Sequence, residues 1–63
     1  MKLKIYKTDT SLYGDVVQGD HSTRLQGVAL KLFIRSNTFT LYYNGVKYED
    51  EDQDYVLNQL GLL

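Results

Sequence analysis

Cysteine, proline and tryptophan are absent from this 63-residue chain, and histidine occurs once. Without cysteine there is no disulfide and no thiolate zinc site. A lone His21 cannot build a metal site from imidazoles. Its neighbours Asp20 and Ser22 are adjacent in sequence, a placement that does not assemble a nucleophile–base–orienter relay. No apolar stretch approaches the ~20 residues that a membrane span needs. Met1-Lys2-Leu3-Lys4-Ile5 alternates instead of leading into an apolar run, so the start does not read as a signal peptide. The expectation is a soluble, cytoplasmic protein that does not engage a membrane.

Glycine-rich phosphate loops are missing too. Residues 13–20, Tyr-Gly-Asp-Val-Val-Gln-Gly-Asp, hold two glycines but neither G-x-G-x-x-G nor a Gly-Lys-Ser/Thr. The acidic run 49–54 lacks the alternating Asp-x-Asp-x-Asp-Gly spacing of a calcium loop. No metal or other cofactor is expected. A domain this small also struggles to enclose a substrate pocket of ~300 Å³ or more, so the chain does not read as an enzyme.

What remains is globular, with 43% hydrophobic and 24% charged residues. Residues 1–63 are expected to form one domain. A chain of this length buries only about 60% of the surface its unfolded form exposes. Small domains compensate with disulfides, metals or association, and with the first two excluded a homodimer is expected.

Charge is unevenly placed. Glu49, Asp50, Glu51, Asp52 and Asp54 give residues 49–63 a sum of −5, with no base among them. The other 48 residues carry seven bases against Asp9, Asp15 and Asp20, or +4, so the net of −1 conceals two electrical halves. A field of one sign on a rigid surface selects partners by sign.

The pattern predicts a small α+β domain: an antiparallel β-meander of three to five strands with one C-terminal helix packed on one face. Residues 2–7 alternate as a half-buried strand. Leu12-Tyr13, Gly14-Asp15 and Val16-Val17 suggest a short hairpin, with a polar loop from Gln18 to Thr23. Residues 25–35 fit two templates. Leu25, Val28, Ala29, Leu32 and Phe33 have helical spacing, with Ser22 as a possible cap; Val28, Leu30, Leu32 and Ile34 alternate as a strand. The strand is preferred, because Gly27 inside a helix costs about 1 kcal/mol relative to Ala. With a turn at Ser36-Asn37, Ile34 then faces Phe39, Leu32 faces Leu41 and Leu30 faces Tyr43. Asn44-Gly45 is the strongest hairpin signal and pairs Tyr43 with Val46 and Leu41 with Tyr48. A helix follows over about 51–60, with Asp50 and Gln53 resembling a capping box and Gly61 as its stop.

Two surfaces follow from this register. The acidic one, Glu49, Asp50, Glu51, Asp52 and Asp54 with Tyr48 and Tyr55, suits a protein partner with a basic surface. Carboxylates interspersed with tyrosines can imitate the phosphates of DNA. Over residues 42–55 the composition resembles that of small phage-encoded inhibitors of nucleases and host defence machinery. The resemblance implies a regulator or inhibitor of a nucleic-acid-handling complex. The other surface is the outer sheet face, with Lys31, Phe33, Arg35, Tyr42 and Lys47, to which β-strand 2–7 adds Lys2, Lys4 and Tyr6. Bases among aromatics on a sheet suit direct stacking of single-stranded nucleic acid, and Phe33 with Tyr42 marks this face for the expected dimer. The regulator or inhibitor acting through the acidic surface is the preferred reading, direct binding of single-stranded nucleic acid is the alternative, and a third reading is a structural subunit of a larger assembly.

Overall fold

A computed structural model describes residues 1–63. The element order is β1 (Lys2–Lys7), β2 (Leu12–Gln18), β3 (His21–Gln26), α1 (Gly27–Ser36), β4 (Thr40–Tyr43), β5 (Val46–Tyr48) and α2 (Asp50–Gln59). The strands form one sheet in the order β3-β2-β1-β4-β5. β1–β2, β2–β3 and β4–β5 pair antiparallel, whereas β1 and β4 run parallel. The α+β class and the C-terminal helix on one face are as the sequence predicts. The sheet is mixed, where a purely antiparallel meander is expected.

The parallel pair explains the main correction. Two antiparallel steps make β3 parallel to β1, and hence to β4, and parallel strands require a crossover connection. Residues 27–36 supply it as helix α1, not as a strand. Leu30 and Ile34, one turn apart, are buried, and Phe33 packs at the core margin with its ring 5.7 Å from that of Phe39. Leu32, which strand alternation puts beside them, is 55% exposed. The pairings of Ile34 with Phe39, Leu32 with Leu41 and Leu30 with Tyr43 therefore do not form. The helix ends where the Asn37 side chain donates to the Phe33 carbonyl at 3.0 Å. Ser22 lies in β3 and caps nothing.

The penalty assigned to Gly27 does not apply, since it is the first residue of α1 and has φ +57°. That left-handed geometry suits a residue without Cβ. Gly27→Ala is expected to cost about 1 kcal/mol, although no atom lies within 4 Å of the new methyl group. An interior glycine would instead gain about that much from alanine. The sign of the shift in urea midpoint separates the two.

Gly14-Asp15 is not a turn. β2 runs straight through it, with Ile5 opposite Gly14. A Cβ on Gly14 would stand 2.8 Å from a Leu30 methyl and 3.0 Å from one of Leu3, so glycine lets α1 settle on the sheet. The turn falls at Gly19-Asp20, pairing Gln18 with His21, which makes strand of much of the expected polar loop. The Asn44-Gly45 hairpin has the expected pairings, Tyr43 with Val46 and Leu41 with Tyr48.

α2 begins within a residue of expectation but without a capping box. Asp50 has φ +51° and lies inside the helix, and the cap position, Glu49, makes no side-chain capping bond. Gln53 spends its amide on the Phe39 carbonyl at 3.1 Å, tying α2 to the entry of β4. The far end closes at Gly61: the Leu62 amide bonds the Leu57 carbonyl at 2.9 Å, and Leu62 is buried. Both helices lie on one face of the sheet. Leu3, Ile5, Leu30, Ile34, Leu41, Val56, Leu57 and Leu62 form one buried cluster there.

Candidate functional site: the open face of the sheet

Strand alternation sends Leu3 and Ile5 of β1 to the helices and Lys2, Lys4 and Tyr6 to the opposite side. The register carries this across the sheet. Lys4 neighbours Asp15 on β2 and Tyr42 on β4; Asp15 neighbours Arg24 on β3, and Tyr42 neighbours Lys47 on β5. One row therefore crosses all five strands as Arg24, Asp15, Lys4, Tyr42, Lys47. At about 4.8 Å per strand it is roughly 19 Å long. A second row pairs Tyr6 with Tyr13, and a third places Ser22, Val17, Lys2 and Thr40 together. No helix covers this side, and none of its residues belongs to the core cluster or packs against it.

The rings and cations are already organised. Tyr6 and Tyr13 have centroids 5.4 Å apart with planes 31° apart. The Arg24 guanidinium lies 4.2 Å from the Tyr13 centroid, and the Lys2 ammonium 5.7 Å from that of Tyr42. Arg24 also donates to Asp15 at 3.1 Å, and Lys47 pairs with Glu49 at 3.1 Å. The hydrogen bond to Asp15, then its charge, raises the Arg24 pKa; Glu49 does the same for Lys47. Asp15 is the only acid in the three rows, and Val17 the only aliphatic side chain.

The residues singled out from sequence are divided by this geometry. Tyr42 and Lys47 lie on the open face, joined by Lys2, Lys4 and Tyr6. Lys31, Phe33 and Arg35 do not, because they belong to α1 on the other side. The joint Phe33–Tyr42 surface expected for a dimer therefore does not exist. Tyr13, Asp15 and Arg24 are the members that sequence reasoning missed. Their signal was the alternation of Tyr13, Asp15 and Val17, obscured by choosing Gly14-Asp15 over Gly19-Asp20 as the turn.

The acidic residues gather at the start of α2. Glu49, Asp50, Glu51 and Asp52 are exposed and line an open hollow of their own. Asp54 is exposed one turn on, and Tyr55 is 66% exposed. Tyr48 is separated from them, half-buried against the core on the helix side. The largest concavity lies between the end of α1 and the start of α2, lined by Ile34, Asn37, Phe39, Glu49, Asp50 and Gln53 among others, with no base or histidine. His21 is exposed on edge strand β3. No three His, Cys, Asp or Glu side chains converge as a metal site, and no helix is long and apolar enough to cross a membrane. No protein-family model, curated protein or solved structure matches the chain.

Proposed function

We propose that this protein is a non-enzymatic binding module whose working surface is the open sheet face, and that its ligand is single-stranded nucleic acid. One observation carries the reading: the uncovered face combines Tyr6, Tyr13 and Tyr42 with Lys2, Lys4, Arg24 and Lys47, against one acid and one aliphatic side chain. Tyrosine and arginine also serve protein interfaces, but lysine is depleted there, and this face holds Lys2, Lys4 and Lys47. Rings with bases between them suit a flexible strand. Bases stack on the rings or on the Arg24 plane, while the lysines neutralise phosphates. The sheet holds these groups at fixed spacing, so little ordering is needed on binding.

Fluorescence titration of a labelled ten-nucleotide strand tests this. Four cations set the ceiling on phosphates neutralised, so log K should fall with log salt with a slope no steeper than about −2.8. Removing Lys2 and Lys4 together should flatten that slope by about 1.4. A slope unchanged in the double variant, or no binding at 20 mM salt, would refute the reading.

The acidic surface supports a second reading, a regulator or inhibitor that occupies the basic groove of a nucleic-acid-handling protein. Its specific support is the exposure of Glu49, Asp50, Glu51 and Asp52 around a single hollow. Replacing Glu49, Glu51 and Asp52 by Gln, Gln and Asn leaves the open face almost untouched. That variant should bind the oligonucleotide at least as tightly as the parent. If acidic mimicry is the function, it should instead lose a basic protein target captured by the parent at low salt.

A further inference from the structure

The helix layer carries an apolar strip with nothing over it. On α1, Leu30 and Ile34 point to the sheet, so Val28 and Leu32, half a turn round, point away; they are 71% and 55% exposed. Lys31 and Arg35 flank that strip and are exposed, and α1 has no acid. On α2, Val56 and Leu57 are buried, which turns Glu51, Asp54, Tyr55 and Asn58 outward, all exposed. α2 carries Asp50, Glu51, Asp52 and Asp54 and no base. Two outward surfaces on one side of one sheet are thus opposite in charge, each with apolar or aromatic area at its centre.

We infer that this layer is a self-association face, with α1 of one copy seated on α2 of a second copy and the reverse contact made about a two-fold axis. A two-fold axis brings every surface element against its partner in pairs. It lets Val28 and Leu32 meet Tyr55 twice, and Lys31 and Arg35 meet Glu51 and Asp54 twice. Like-on-like pairing of α1 with α1 would oppose four cations, and pairing of α2 with α2 would oppose eight carboxylates. Charge therefore selects the crossed arrangement. Ten-residue helices are about 15 Å long, and two side by side at 8–10 Å give a footprint of roughly 300 Å² per copy, below the size of stable specific interfaces and in the range of weak, transient ones. The dimer is accordingly weak and transient. Its two sheet faces would look outward in opposite directions, so the inference is independent of what those faces bind.

Sedimentation equilibrium of the whole chain from ~10 µM to ~1 mM tests it. The weight-average mass should rise from 7.3 kDa towards twice that value. Lys31→Glu with Arg35→Glu in one chain, and Glu51→Lys with Asp54→Lys in another, should each weaken self-association more than about tenfold. Mixed together, the two variants should associate at least as well as the parent, because both crossed contacts then join opposite charges. A single chain with all four changes should recover as well. Leu32→Gln should weaken association while leaving the circular dichroism spectrum unchanged. A parent that stays at 7.3 kDa throughout, or folded variants whose mixture remains monomeric, would overturn the inference and assign the strip to a different partner.

Discussion

Leu30→Ala is expected to cost about 2–5 kcal/mol, while Leu32→Ala two positions away should change stability by no more than about 0.5 kcal/mol. Leu30 is fully buried, against Gly14 and Leu3, whereas Leu32 is 55% exposed. Domains of this size have total stabilities of about 3–9 kcal/mol, so loss of Leu30 alone should remove a large share of the total and move the urea midpoint far down. The pair of variants reads the conformation of residues 27–36 directly. In a strand the two leucines share a face and would cost similar amounts. In the helix they lie on opposite sides. Urea denaturation of both settles it, and equal losses would discard α1 together with the crossover.

The second large effect concerns binding. Tyr13→Ala and Tyr42→Ala should each weaken single-stranded oligonucleotide binding by about 1–3 kcal/mol, or some 5- to 150-fold. Tyr13 should be the more sensitive, because Arg24 and Tyr6 both rest against its ring, at 4.2 and 5.4 Å. Tyr42 has only the Lys2 ammonium over it, at 5.7 Å. Neither ring packs against the core cluster, so the cost to folding is that of a lost cross-strand pair, about 0.2–1 kcal/mol. Affinity loss measured well below a slightly lowered melting temperature separates the two contributions. If both variants bind as the parent does, the rings are not a stacking platform.

Local chemistry made some elements legible from the residues alone. Asn44-Gly45 has the turn residues and the flanking alternation together, and its hairpin has the expected pairings. β1 alternates cleanly, and α2 carries acids in its first turn with a glycine stop. Residues 8–27 misled because two Gly-Asp pairs compete for the turn. Glycine at position 14 serves close packing under Leu30, a requirement that appears only once the helix is in place. Residues 25–35 misled for a related reason: alternation and helical spacing were both satisfied, and topology decided between them. A parallel β1–β4 pair needs a crossover, and that pairing is non-local. Half of the open face was legible through Lys2, Lys4, Tyr6, Tyr42 and Lys47. Tyr13 and Arg24 depended on the β2–β3 register, so they were lost with the misplaced turn.

The crossed dimer and the acidic-mimic reading make competing demands on α2. If Glu51 and Asp54 are neutralised by a second copy's Lys31 and Arg35, a basic groove must displace that copy to reach them. The open sheet face faces no such competition, since it lies on the opposite side from both helices.

Amide chemical-shift mapping with a short single-stranded oligonucleotide at low salt tests the assignment of the working surface most directly. Binding on the platform should move the amides of Lys2, Lys4, Tyr6, Tyr13, Arg24 and Tyr42, while those of α1 and α2 stay in place. Shifts confined to the helices, or none at all with ligand in excess, would contradict the assignment of function to the open sheet face.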